Sequence, residues 1–299
     1  MKVFITGATG YVGGSIALHL LASGYQVRGL VRDMSKAEAL LQAGIEPVQG
    51  DLDDSGLLTR EARAADAVIN CASSDHRPAI EALLAGLSGS RKILLHTSGS
   101  SQVGDAVAGN KVSEQIFDES TPLIVSAGKQ ARYELDQRIL SAPGVRGIVI
   151  CNTLIYGKGR GLNPHSVQTP ALVKNALARG VVQIVGAGLN RWSTVHIDDV
   201  CALYQLALEA PSSKGFYFAE NGEASFAEIA QAISNRLGIP AIEGLDEEQA
   251  IAVWGLNGAR YSLGSNSRIR GIRARAELGW QPQHPSVLQW ISQEMDTAP

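Results

Sequence analysis

The chain has 299 residues, 45% hydrophobic and 18% charged, a globular composition that excludes dominant disorder and suits either two folding units or one large α/β domain with an appendage. With 26 Lys and Arg against 29 Asp and Glu the formal net charge is −3, so no global positive field draws the protein to nucleic acid or anionic lipid. Cys71, Cys151 and Cys201 are widely spaced among apolar residues, which fits buried thiols and implies no disulfide framework and no metal.

The first apolar run, Val3-Phe4-Ile5, passes straight into Thr6-Gly7 and a turn. No secretory signal or membrane span is expected, and the expected location is cytoplasmic. From there to about residue 150 short apolar runs at 2–5, 26–31, 46–49, 67–71, 92–96 and 146–151 alternate with helical patterns. This alternation is the signature of βαβ units in a parallel sheet covered by helices on both faces. Val12, Ile16 and Leu20 repeat at i+4 along the first helix, and Gly24 stands where a helix ends. The Gly-, Asn- and Pro-bearing stretch 156–170 reads as a long loop of the kind that is often functional. Helices are expected near 171–179, 199–208, 225–237 and 246–254, with short strands near 181–185, 194–197 and 215–218. The fold class is therefore α/β, a doubly wound parallel (Rossmann) sheet over 1–155. A smaller C-terminal substrate-binding part follows over 156–299, some of its elements returning to the sheet.

The most informative residues are Thr6-Gly7-Ala8-Thr9-Gly10-Tyr11-Val12-Gly13, between the first strand and the first helix. Gly7, Gly10 and Gly13 allow a tight turn, close approach of backbone N–H groups to a diphosphate, and close packing of helix on strand. Thr9, Tyr11 and Val12 complete the expected phosphate-binding set. The residue after the second strand, about 20 positions on, meets the adenosine ribose, and Arg32 lies there, with Arg28 and Lys36 near enough to add charge. A guanidinium suits a 2′-phosphate, so NADP is the expected cofactor; the neighbouring Asp33 keeps NAD open.

These residues, with Gly50-Asp51-Leu52, Asn70-Cys71-Ala72-Ser73 and His96-Thr97-Ser98-Gly99 after the third, fourth and fifth strands, resemble the short-chain dehydrogenase/reductase superfamily. The closer similarity is to its extended and atypical branch of nucleotide-sugar epimerases, dehydratases and dihydroflavonol-type reductases. Val195-His196-Ile197-Asp198-Asp199 and Leu278-Gly279-Trp280 with Pro282 extend the resemblance into the C-terminal part. It implies that Asp51 and Leu52 flank the adenine and that Ala72 and Ser73 line the nicotinamide half. It also implies a Tyr and a Lys four residues later on one helix face, where the ammonium helps the phenol act as acid or base, plus a Ser or Thr after the fifth strand.

No Tyr-x-x-x-Lys occurs in the expected helix 128–140. Taking Ala131, Leu135 and Ile139 as its inward stripe, the matching register puts Gly128 at the tyrosine position and Arg132 at the lysine position. Lys129 and Tyr133 fall on the other side, and Tyr133 reads as a surface or subunit-contact residue. Counting back from Gly104 puts Gly99 at the hydroxyl position, with Ser98 and Ser100 beside it. The candidate catalytic residues are thus Ser98, Ser100, Arg132 and Tyr156, the last at the lip of the cleft, with His96 and His196 as alternative acids. Asp198 and Asp199 read as helix-capping acids. Arg191, Arg268, Arg270, Arg273 and Arg275 could meet an anionic substrate, although the last four more simply read as a solvated face and a helix C-terminal complement. The expected function is an NADP-dependent reductase or epimerase-like oxidoreductase acting on a small molecule or nucleotide sugar. A non-catalytic NADP(H)-binding sensor or scaffold, or an isomerase with tightly held cofactor, are the alternatives. A small-molecule substrate is the expected partner and a homodimer remains open, with no nucleic acid and no membrane.

Overall fold

In the computed structural model, which describes residues 1–297, the first half of the chain alternates strand and helix. In order these are β1 (Lys2–Thr6), α1 (Tyr11–Ala22), β2 (Gln26–Val31), α2 (Met34–Gln42), β3 (Glu46–Gln49), α3 (Ser55–Ala64), β4 (Ala67–Asn70), α4 (Arg77–Leu87), β5 (Ile93–Gly99), α5 (Gln130–Leu140) and β6 (Arg146–Asn152). The rest contributes β7 (Leu154–Tyr156), α6 (Gln168–Arg179), β8 (Val182–Val185), β9 (Arg191–His196), α7 (Ile197–Glu209), β10 (Gly215–Ala219), β11 (Glu223–Ser225), α8 (Phe226–Leu237), β12 (Ile242–Leu245), α9 (Glu247–Leu256), a π-helical turn over Asn257–Leu263, α10 (Arg273–Leu278) and α11 (Val287–Gln293).

Seven parallel strands form the main sheet in the order β3-β2-β1-β4-β5-β6-β10. The chain leaves β1 toward one edge and crosses to β4 on the other side, which opens a crevice at the C-terminal ends of β1 and β4. Alternation within β1 explains the two-sided core. Val3 and Ile5 pack with Ile16 and Leu20 of α1 and Leu203 and Tyr204 of α7. Phe4 packs on the opposite face with Leu58, Ile80, Leu83, Leu135 and Ile139. Both faces are dry, so the strands read as unbroken apolar runs.

A second core gathers Leu154, Tyr156, Trp192, Phe226, Ile229, Ile233, Val287 and Ile291 from the C-terminal elements. A three-stranded sheet, β11-β9-β7, and a two-stranded one, β12-β8, belong to this part. The α8 helix starts on a reciprocal cap between Ser225 and Glu228 and stops at Gly238 in the left-handed region. Two pieces return to the main sheet: β10 completes its edge, and buried Trp280 donates its indole N–H to the Asp199 carbonyl at 2.9 Å. All three cysteines are free, two buried and Cys71 half-buried. Among the described residues no helix is long and apolar enough to cross a membrane.

The expected helix 128–140 is shorter. A 3₁₀ turn, Ala127–Lys129, precedes α5, so Gly128 lies outside the α-helix proper. The inward stripe is also shifted: Ala131 is exposed, and Leu135, Asp136 and Ile139 are buried, with Arg132 half-buried one turn before them. Asp136 is accepted on this stripe because partners from β5 and the turn after it surround its carboxylate.

Candidate active site

The turn after β1 is built by close backbone approach. Gly7 has φ +77°, which glycine adopts without steric cost. A Cβ there would stand 2.8 Å from Cys71 C and Ala72 N, and one at Gly13 would stand 2.8 Å from the Gly7 carbonyl carbon. Gly10 donates its N–H to the Gly7 carbonyl at 2.9 Å and caps α1 without a side-chain bond. The first-turn amides of α1 therefore open onto the crevice with no acid beside them, which suits a diphosphate. Thr9 and Val12 lie half-buried at the rim. The side chain of Tyr11 points elsewhere. It is buried, donates to the Gly157 carbonyl at 2.9 Å, and burial pushes its phenol well above the ordinary range. Only its backbone N–H is left for an anion.

Beyond β2, Arg32 is exposed and forms no ion pair among the described residues. Asp33 caps α2 by accepting the Ser35 N–H at 2.9 Å, and that bond holds its carboxyl below the usual range. Lys36 is exposed. Arg28, expected to add charge here, is neutralised by Glu61 at 2.8 Å and Glu46 at 3.2 Å. The carboxylate of Asp51 accepts the N–H groups of Asp53 and Asp54 at 2.9 and 3.2 Å, and Leu52 beside it is half-buried. Ala72 is exposed at the crevice, and the half-buried Ser73 accepts the Asp75 N–H at 3.2 Å. Asn70 ties the strand ends together, accepting from Thr6 Oγ1 at 2.5 Å and donating to the Ser73 carbonyl at 2.9 Å and His96 Nδ1 at 3.0 Å.

At the inner end of the crevice, Arg132 clamps Asp75 through two bonds of 2.6 and 2.8 Å and donates from Nη1 to Ser101 Oγ at 3.2 Å. The Arg132 hydrogen bond in turn holds the Asp75 carboxyl below the usual range. Lys129, half-buried with Arg132 nearby, has a depressed pKa for both reasons. Its Nζ lies 4.8 Å from the Tyr261 ring centroid. A Cβ added at Gly128 would fall on the Tyr261 hydroxyl and 2.8 Å from its Cζ. Val103, Gly104, Val125 and Ser126, between these residues and the end of β5 in sequence, line a cavity of about 220 Å³ together with Phe117, Ile124, Asp105, Asn266 and Arg268.

The expected serines are committed elsewhere. Ser98 is buried and donates to Asp136 Oδ2 at 2.7 Å, where Gln102 Nε2 also donates at 3.2 Å. Ser100 is fully buried, and its Oγ meets that of Ser267 at 2.8 Å. Ser101, which the sequence did not single out, is the hydroxyl turned toward Arg132, because the 3₁₀ helix Ser100–Val103 rotates it off the end of β5. His96 is inside the sheet. Since its Nδ1 accepts from Asn70, the proton sits on Nε2, 3.5 Å from Asp136 Oδ1. Burial lowers its pKa to about 4 and raises that of Asp136 to about 6.

Three further expectations are corrected. Tyr156 is fully buried and donates its hydroxyl to the His284 carbonyl at 2.6 Å, so it packs and does not reach into the cleft. His196, not Asp198 or Asp199, caps α7, accepting the Asp198 N–H at 3.2 Å. It stacks on His284 at 4.0 Å, and burial holds its pKa near 4. His196, Asp198 and His284 bring ligand-type atoms within 4.8 Å, yet Arg160 holds Asp198 at 2.7 Å and the imidazoles are stacked. The arginines weighed as contacts for an anionic substrate are paired within the protein: Arg191, Arg268 and Arg270 with Glu223, Arg273 with Glu277, and Arg275 with Glu220.

The NAD dependent epimerase/dehydratase family model matches residues 3–217. The chain is 31% identical to the oxidase ucsJ of Acremonium sp. over 96% of its length and 94% of that protein. It is 26% identical to a 3-diazoavenalumate denitrifying reductase of Streptomyces sp., covering 98% of this chain and all of that one. Among solved structures, the dTDP-glucose 4,6-dehydratase DesIV of Streptomyces venezuelae, with NAD and TYD bound, superposes with a TM-score of 0.77 at 21% identity, covering 98% of this chain and 95% of that one. That likeness establishes the shared fold. The protein is a member of the NAD dependent epimerase/dehydratase family.

Proposed function

We propose that the protein is an NADP(H)-dependent oxidoreductase that reduces the carbonyl, or oxidises the carbinol, of a small and largely apolar molecule. The observation that carries the cofactor choice is the free Arg32 guanidinium beside a carboxylate, Asp33, that is already engaged as a helix cap. In this reading Gly7, Thr9, Gly10, Val12, Gly13 and the Tyr11 amide receive the diphosphate, Asp51 and Leu52 flank the adenine, and Ala72 and Ser73 line the nicotinamide half. The bound nicotinamide supplies or takes the hydride. Arg132, held by Asp75, orients Ser101 and keeps positive charge where an alkoxide develops. A cavity of about 220 Å³, walled by Val103, Phe117, Ile124 and Val125 and by Asp105, Gln115, Asn266 and Arg268, is small for a nucleotide sugar and supports a compact substrate. The pairing of Arg191 and Arg268 with Glu223 favours it too. Relatives named as an oxidase and a reductase support redox chemistry.

The test is NADPH oxidation across a panel of aldehydes, ketones, quinones and nucleotide sugars. Substrate-dependent oxidation by a small carbonyl compound is expected. NADPH binding with no oxidation across the panel would instead support the sensor reading.

A further inference from the structure

We propose that Tyr261, carried by the C-terminal part, is the proton donor and acceptor of this site, taking the place that Gly128 leaves open. The assignment rests on the oxidoreductase reading above. The observation is a long-range contact: the helix entry lacks a side chain at Gly128, and the Tyr261 phenol packs against that glycine so closely that a Cβ there would clash with its hydroxyl and stand 2.8 Å from its Cζ. Lys129 faces the same ring at 4.8 Å, and Arg132 follows one turn on, bonded to Ser101. The phenol and Lys129 therefore meet, and Arg132 with its Ser101 partner follows one turn on, although the four side chains come from four separate elements.

Elimination points the same way. Of the seven tyrosines, five have hydroxyls given to protein acceptors or shared with them: Tyr11 with Gly157, Tyr25 with Glu209, Tyr156 with His284, Tyr204 with Thr97 and Tyr217 with Glu277. Among the described residues only Tyr133 and Tyr261 give their hydroxyls to no protein acceptor; Tyr261 has the Arg260 guanidinium as a hydrogen-bonding neighbour, and Tyr133 is not at Gly128. The carrier of Tyr261 is the π-helical turn Asn257–Leu263, pinned by buried Ala259 and Leu263 and by Ser265 Oγ donating to the Tyr261 carbonyl at 3.2 Å. Such turns are costly and recur at functional sites.

In the reducing direction the substrate carbonyl carbon gains the hydride of the reduced nicotinamide, and the C=O π pair moves to oxygen. That oxygen takes the proton from Tyr261 Oη. The cations Lys129 and Arg132 balance the charge left on the phenol oxygen until water returns a proton. One carbonyl, one NADPH and one proton give one carbinol and one NADP⁺.

The test that needs no substrate is acetylation of tyrosine hydroxyls by N-acetylimidazole, mapped by mass spectrometry with and without saturating NADPH, whose binding is measured separately by calorimetry. Tyr261 should be labelled in the free protein and protected several-fold by NADPH, with Tyr133 and Tyr25 unchanged. Unchanged Tyr261 labelling with NADPH demonstrably bound overturns the assignment alone; failure of both NADPH and NADH to bind overturns the oxidoreductase reading and the assignment with it. In turnover with 9,10-phenanthrenequinone as the carbonyl probe, Tyr261→Phe should lower kcat by about 100-fold or more while leaving NADPH affinity unchanged. The double variant Gly128→Tyr with Tyr261→Ala should recover at least a tenth of the lost rate. A Tyr261→Phe enzyme with undiminished kcat contradicts the proposal.

Discussion

Arg32 and Asp33 are neighbours with opposite freedom, and the difference comes from one hydrogen bond. The carboxylate satisfies a helix N-terminus, whereas the guanidinium meets solvent. Spacing from the glycine turn made the place of Arg32, directly after β2, legible in the sequence, because the turn, α1 and β2 have fixed lengths in this fold. The serine was not legible, since only the 3₁₀ helix after β5 decides that Ser101 and not Ser98 or Ser100 meets Arg132. Tyr261 was hidden for a related reason, as its contact with Gly128 joins distant parts of the chain. Buried Asp136 supports a pH prediction. Its carboxyl titrates near 6 in the folded protein against an ordinary value of 3.8, so the folded state binds that proton more readily than the unfolded one. The resulting stability is present below pH 4 and lost as pH rises through 6, about 3 kcal/mol in all. His96 acts oppositely, since its lowered pKa costs stability as pH falls from 6.5 toward 4. Relative to the parent, Asp136→Asn should therefore gain about 3 kcal/mol between pH 4 and 7 in urea denaturation. Parallel curves across that range would show that Asp136 is ionised in both states.

Elements act here through their ends. The N-terminus of α1 is usable because Gly13 lets the helix approach the turn, and a methyl group there would strike the Gly7 carbonyl. Gly13→Ala should cost about 1–3 kcal/mol of stability and lower dinucleotide affinity by more than about tenfold, measured by denaturation and calorimetry. Wild-type affinity in that variant would mean that the turn does not hold the diphosphate. The long alternating elements β1 to β6 were legible because burial on both faces demands unbroken apolar runs separated by helices. β7, β11 and β12 were not, since three or four residues are too few for a period to show, and they exist through pairing with β9 and β8. The start of α5 was misplaced because a 3₁₀ turn and an α-helix share local composition yet differ in residues per turn.

At the scale of the molecule, the C-terminal part is tied to the main sheet by β10 and by Trp280, which is buried in the core beneath α7. Trp280→Ala should destabilise the protein by about 3–5 kcal/mol and still give one unfolding transition, seen as superimposable fluorescence and circular dichroism curves. Two separated transitions would show that the parts fold independently. The π-helical turn of the C-terminal part also meets the turn before α5, through Tyr261 and Gly128. The central claim, that the glycine turn with Arg32 binds a phosphorylated nicotinamide dinucleotide, is tested most directly by calorimetric titration of NADPH and NADH into the wild-type protein and Arg32→Ala. Saturable binding is expected with NADPH favoured about tenfold or more, a preference that Arg32→Ala erases by weakening NADPH alone. Absence of binding by either nucleotide, or equal losses for both in the variant, would contradict it.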